Sequence, residues 1–586
     1  MTVCRAVLMV LAAALVGGWA VASACPAAEG DFHAARNMLR TYCHRCHSGP
    51  GSEGGDFDLL DVATLTTAAA GERPLVAPGN PGGSRLFERI ILQEMPPDNH
   101  PKPGADEVAA VWKWVAAGAP AFPKSEHREK LALAKVLGAA VQYANAQEER
   151  AQPFLRFFTL HNLYNHPDTT AEDLRLHRAA LSKALNSLSR VPEIVVPQAV
   201  DESRTLFAID IRQLNWDRGG QWGMLVKQYP YGLTYESHPE AALREADANL
   251  RRIVGVDVPI LRSDWFVATA TRPPLYHDLL QLPTTLAALK KELNIDSQAD
   301  FLNPTVDRLA RAAFARSGVS GQNRAIDRHG AGLRVLWESY DELAGRPRGQ
   351  FFKFPLGPLN LFSNHPFAEQ AFDHDGGELI FGLENGLHGY LLVNGTGERI
   401  DAGPIRVVGD ALKTSGTNEI VNGVSCMACH KQGIITFRDE LRDGSAVFGK
   451  ADVKLRELVP PQAEWDRLQQ RDSDAYLQAL AKAIGPMLAE EGRPALELRD
   501  LPEPVGPMAR QYRLAYLDAE AVAIELDLRA PAALVAVGEA KLKRLGLGGL
   551  LKKAGVVSRN DWETFNGPSL MQSLAKELRA SPIREF

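Results

Sequence analysis

Thr41-Tyr42-Cys43-His44-Arg45-Cys46-His47 is the stretch that decides how this chain folds, and Ser425-Cys426-Met427-Ala428-Cys429-His430 repeats its pattern far downstream. In each, two thiols three residues apart fall on one helical turn, where they reach the two vinyl groups along one porphyrin edge. The histidine that follows swings under the ring and offers a nitrogen to iron. A Cys-x-x-Cys alone reads equally as a redox dithiol or as half of a zinc site. The adjoining histidine, present both times, favours haem, and the long chain between the two units makes a single pooled zinc site awkward. The expectation is two c-type haems held by Cys43 and Cys46 and by Cys426 and Cys429, with His47 and His430 on the irons.

The surroundings of the first unit suit a small helical domain. Asp31 to Tyr42 is expected as an entry helix with Ala34, Met38 and Leu39 on its apolar face. Gly49 to Gly55 is a glycine-rich loop, Leu86 to Ile91 a short helix, and Ala105 to Ala117 a closing helix turning Val108, Val111, Trp112 and Val115 inward. Met95, in Glu94-Met95-Pro96-Pro97, is the expected sixth ligand: it lies far enough past His47 to travel round the porphyrin, on a proline-bearing loop that cannot continue a helix. Most methionines only fill core space. Here Met38 is the other methionine of the domain, and it sits on the entry helix.

Residues 33–121 resemble the planctomycete-type cytochrome c domain family. The residues that carry the resemblance are Cys43-His44-Arg45-Cys46-His47, Val76-Ala77-Pro78-Gly79-Asn80-Pro81, Ser84-Arg85-Leu86, Glu94-Met95-Pro96-Pro97 and Trp114 to Pro120. It implies a small all-α haem domain with His47 and Met95 as axial ligands. Residues from Phe158 to His430 also resemble the large domain that accompanies such modules in some bacterial diheme c-type cytochromes. That resemblance rests on Phe158 to Asn165, Arg272 to Asp278, His374-Asp375-Gly376-Gly377-Glu378 and Ser425 to His430. It brings no activity with it.

The fold class expected is multidomain: a small all-α cytochrome c domain over 30–122, then a large α+β domain over 123–586 that holds the second c-type haem and ends in a helical part. Ala119 to Ser125 reads as the linker. Glu126 to Gln152 reads as a charged helix, and helical periodicity continues from Pro153 to about Leu188. Ile194-Val195-Val196, Thr205 to Ile211, Glu378 to Leu383 and Leu387 to Val393 are β-rich, and Glu384-Asn385-Gly386 between the last two signals a hairpin. Helical signals return around Ala475 to Ile484 and Asp518 to Glu525. For the second haem's sixth ligand the candidates are His365, His374, His388, Met487 and Met508. His374 leads, because two glycines soon after it let backbone approach a flat ligand and because the hairpin follows. A lone histidine is more often structural than ligating, and that alternative holds for each of them, as it does for His161, His166, Tyr276 and His277. The carboxylates Asp373, Asp375 and Glu378 read as a solvated turn.

At 586 residues the chain is too long for one core, and its composition (45% hydrophobic, 23% charged) is that of globular domains. A net charge of −6 gives no basic stripe for a nucleic acid. Arg5, the uncharged run from Ala6 to Ala22 and the small-x-small Ala22-Ser23-Ala24 read as a signal peptide over 1–24. An uncleaved anchor is the rival reading, and Cys25 adds a lipoprotein reading that Ala22 argues against. The expected location is the periplasm or another exported compartment, with membrane attachment only through the N-terminus. The leading function is electron transfer between a periplasmic redox donor and acceptor that the sequence does not name. The alternatives are a diheme peroxidase or oxidase reacting at the second haem, or a redox sensor. Diheme peroxidases are usually shorter, with closer haem units. A carrier, however, needs far less chain than surrounds the second unit here.

Overall fold

The computed structural model describes residues 29–583 except 45, 50–51, 53, 56, 69–72, 99, 123–127, 317–322, 342–347, 406–407, 411–413, 445, 490–494 and 553–554. The expected signal peptide over 1–24 and Cys25 lie outside the described residues. Among those described, no helix is long and apolar enough to cross a membrane. The chain is multidomain, with helices and several sheets.

The N-terminal unit is built on helices α1 (Glu29–Tyr42), α2 (Arg85–Ile91) and α3 (Ala105–Ala116). Ala35, Met38 and Leu39 of α1 meet Val111, Trp114 and Val115 of α3, each trio at the i, i+3, i+4 spacing that makes one helix face. This corrects the phase read from sequence by one or two residues. Ala34 is exposed, and Trp112 is 48% exposed while Trp114 is fully buried. Trp114 is the better core residue because its indole N–H finds a partner, the Pro120 carbonyl at 2.9 Å, and its ring stacks on Phe122 at 4.7 Å.

Beyond the linker, helix α4 covers Leu133–Asn145, shorter than expected, and the expected helical continuation is broken at its start, with a long helix returning only at Ala171–Ser187. Leu155–Thr159 is instead strand β1, buried at all five positions. It pairs in a four-stranded sheet of order β2-β3-β1-β4 with β2 (Gln198–Ala199), β3 (Leu206–Asp210) and β4 (Ile260–Arg262). A strand buried on both faces shows no alternation, so periodicity cannot separate it from a buried helix. Ile194 to Val196 form no strand, because the Asn186 amide satisfies the Val195 backbone in both directions, at 2.7 and 2.8 Å. Asn186 belongs to helix α5 (Ala171–Ser187), whose start is fixed by a Thr170/Asp173 capping box.

A six-stranded antiparallel meander follows: β5 (Leu309–Phe314), β6 (Arg324–Ala331), β7 (Arg334–Tyr340), β8 (Gly376–Gly382), β9 (His388–Asn394) and β10 (Arg399–Ile400), in spatial order β10-β9-β8-β7-β6-β5. The expected hairpin joins β8 to β9. One face carries Ile326, Trp337, Ile380 and Tyr390; the other carries Ala325 and Tyr340, covered by Phe351 and Phe372. Three helices complete the frame: α6 (Val424–Cys429), α7 (Gln462–Leu488), which packs on α5, and α8 (Val505–Leu514). The expected helix near 518–525 is present at Ala519–Glu525, in a C-terminal part with its own core of Leu517, Trp562, Met571 and Leu574.

Candidate haem sites

The first attachment turn extends α1. The Cys43 N–H donates to Leu39 at 3.0 Å and the His47 N–H to Cys43 at 3.1 Å, so both thiols ride one further turn. Neither cysteine is in a disulfide. Burial pushes the Cys43 thiol up to about 12, with Cys46 adding to the effect. The His47 ring stacks on Phe57 at 4.7 Å, and the Gly54 backbone closes over it: a Cβ at Gly54 would lie 2.4 Å from the imidazole. Burial holds the imidazole below its usual pKa, neutral and able to ligate a metal. Met95 sits on the loop after α2 and is 39% exposed, whereas Met38 is 1% exposed in the core. Met95 is therefore not a core-filling methionine.

The second turn is α6 itself, lying over the Ile326/Trp337 face of the meander. Cys426, Cys429 and His430 line one cleft of about 350 Å³, walled by Ile326, Trp337, Ile380, Tyr390 and Phe437. That volume is within the range of about 300–1,000 Å³ typical of cofactor sites. The His430 Nδ1–H donates to the Gly433 carbonyl at 3.2 Å, which leaves Nε2 as the free ligand nitrogen. Burial depresses the His430 pKa and raises the Cys429 thiol to about 12. Two free thiols and a neutral imidazole on one turn, opening on an apolar cleft, fit a covalently held haem.

The residues proposed as its sixth ligand are elsewhere. His374 does not reach this cleft: its ring packs edge-on against Tyr340 at 5.2 Å, and near Phe372, in the cluster covering the opposite sheet face. The two glycines serve the strand, since they open β8. His365 packs on Phe301 and Phe362. His388 is on the cleft side of β9, but its ring stacks on Tyr476 of α7 at 4.4 Å. Met487 and Met508 are buried in α7 and α8. Among the described residues lining the cleft, His430 is the one histidine and there is no methionine. The undescribed stretches 317–322 and 342–347 contain neither type. Tyr276 and His277 act from behind: Tyr276 accepts from the Tyr390 N–H at 2.8 Å, and His277 accepts from the Asn422 amide at 2.8 Å. His161 and His166 line two other cavities. Sequence reasoning missed Arg324 and Glu378, which enter the cleft from β6 and β8. Glu378 is a strand residue rather than part of a solvated turn, and only the register of the meander reveals it.

Helix α8 packs on the second attachment turn and reaches Tyr42, the residue before the first. Next to the first, the Tyr42 hydroxyl donates to Glu107 of α3 at 3.0 Å, and Glu107 pairs with Arg510 of α8. One helical turn earlier, Gly506 lies so close to Ala428, between the second pair of cysteines, that a Cβ would fall 2.7 Å from it. Glu503 anchors this helix start by accepting from the N–H groups of Val505 and Gly506, at 3.0 and 2.7 Å. It also pairs with buried Lys183 at 2.7 Å. Burial alone would lower the Lys183 pKa; Glu503 outweighs it and holds the ammonium charged. Asp106 and Lys431, at 2.9 Å, add a second bridge beside His430.

No curated protein and no solved structure matches this chain. Residues 43–99, from the first attachment turn to the loop beyond Met95, match the family model described as planctomycete cytochrome C, the family that the N-terminal motifs resemble.

Proposed function

We propose that the chain is an exported diheme c-type cytochrome that passes electrons between two covalently held haems. A cytochrome c domain implies one covalently bound haem and electron transfer, and the match covers the first attachment turn. The reading of the second haem is carried by the cleft, into which Cys426, Cys429 and His430 all open. Bound haem supplies a one-electron iron couple. The chain holds that group and positions it. Cys43 and Cys46 fix the first haem, with His47 and Met95 as axial ligands; Cys426 and Cys429 fix the second, with His430 as ligand. Helix α8, in contact with the second turn and with Tyr42 beside the first, keeps the two sites at a fixed separation.

The test is mass and voltammetry of full-length protein matured in a haem-c-competent host. The expected result is a mass increase of two haems and two reversible one-electron waves. One haem, or one wave, overturns the reading. Export is tested separately, by fractionating cells that express the chain from residue 1. A second reading, reaction of the second haem with a small molecule, is favoured by the make-up of the cleft, where His430 has no second histidine or methionine beside it among the described lining residues.

A further inference from the structure

We propose that Arg324 and Glu378 form, in the cleft beside Cys426–His430, a binding site for a small proton-bearing ligand of the hydrazoic acid or hydrogen peroxide class. The inference rests on the reading of Cys426–His430 as a haem attachment turn and adds to it what the haem admits.

The cleft walls are largely apolar, and the exposed Arg316, Arg438 and Glu440 stand at its mouth. Deeper in, the sheet face contributes two charged side chains. Arg324 Nη1 donates to Glu378 Oε2 at 3.1 Å, and Nε donates to Asp341 Oδ1 at 2.8 Å. The Glu378 N–H donates to the Ser339 hydroxyl at 2.9 Å, which pins the strand at that point. Glu378 Oε1 is buried, and no donor among the described residues reaches it. A buried acceptor left unpaired costs about 1–3 kcal/mol, so a ligand that brings a donor to Glu378 Oε1 gains by doing so. The ligand must therefore bring a proton to Glu378 and tolerate a guanidinium beside it. A weak acid HX of a few atoms meets both conditions: its proton goes to the carboxylate, and X⁻ stays under the positive charge of Arg324. A larger ligand is excluded by a cleft that must also contain a porphyrin.

The wider network supports this assignment. Asp341 and Glu378 share one guanidinium, and Asp341 is pushed up to about 6, chiefly by burial, against the pull of Arg324 and with a further push from Glu378. The proton that HX gives up thus enters a carboxyl pair bridged by one guanidinium.

The experiment uses oxidised full-length holoprotein of measured haem content, titrated with sodium azide and, separately, with imidazole, which needs no proton acceptor. Binding is read from the haem absorbance and electron-spin spectra. Wild type should bind azide at one of its two haems. Glu378→Gln should weaken azide by roughly tenfold to a hundredfold, the weight of one charge-assisted hydrogen bond, and leave imidazole affinity within about twofold. Glu378→Asp, which keeps the carboxylate, serves if the glutamine variant loses haem, and should fall between the two. Two haems with no azide response, or equal azide affinity in wild type and variant, overturns the site while the haem reading stands. A mass showing a single haem overturns both.

Discussion

Arg510 and Glu107 form an ion pair across the boundary between the N-terminal unit and the remainder of the chain, with side chains 8% and 21% exposed. The pair is partly desolvated and shares Glu107 with the Tyr42 hydroxyl, so the boundary is fixed at the residue that precedes Cys43. Arg510→Met removes a charge-assisted hydrogen bond from a partly buried carboxylate, a loss of roughly 1.5–3 kcal/mol. His33 and Arg36 still face Asp173, at 3.3 and 3.7 Å, so the unit stays attached but less tightly. Slower equilibration of electrons between the two proposed haems after flash reduction is the expected result. An unchanged rate would show that α8 does not set their separation.

Met95→Ala tests the first haem. Met95 is 39% exposed, so the packing lost in the variant costs no more than about 0.5 kcal/mol, and any larger loss of stability reports the bond to iron. If its sulfur is the sixth ligand, the far-red thioether-to-iron band disappears and the potential of this haem falls. Retention of both would make the residue a surface methionine.

Local structure written in short spacings was legible in the sequence: the helical turns of the two Cys-x-x-Cys-His units, the N-terminal helices and the hairpin between β8 and β9. What escaped depended on contacts between distant segments. Leu155–Thr159 reads as helix or strand until its neighbours Asp210 and Ile260 are known. Trp112 and Trp114 exchange places because the Pro120 carbonyl lies within reach of the second alone. The glycines after His374 suit a flat ligand in the sequence, yet in the fold they admit the strand pairing of β8. Glu378 reads in the sequence as part of an acidic turn, because only the pairing of β7 with β8 shows that it shares a face with Trp337 and Ile380.

Acid should destabilise the large part of the chain through buried neutral histidines. His161, His166 and His277 are each lowered to about 4, first by burial and then by Arg262, Arg40 and Arg399 respectively. Their folded pKa values lie below the unfolded value of about 6.5, so their contribution is complete above pH 6.5 and is lost as pH falls towards 4. Asp341 has the opposite sign: raised to about 6, it contributes below about 4, and that contribution is lost as pH rises through 6. Three groups outweigh one. The urea midpoint followed by tryptophan fluorescence should fall between pH 7.5 and pH 5 with little change in slope. An unchanged midpoint would mean that these histidines stay charged in the folded chain.

His374→Ala separates a structural histidine from a ligand. The His374 ring stands edge-on to Tyr340, and its Nδ1 is 3.3 Å from the Gly376 carbonyl, so it holds the start of β8 against the aromatic cluster of Phe351 and Phe372. Replacing it removes packing in a buried cluster and costs about 1–3 kcal/mol, seen as a lower urea midpoint. Because the ring lies on the sheet face away from Cys426 and His430, the spectra of the second haem should be the same in variant and wild type, in spin state and in azide response. Conversion of a low-spin signal to a high-spin one in the variant would put His374 on the iron. The chain would then have to rearrange around bound haem, carrying this ring from the Tyr340 side of the sheet to the Trp337 side.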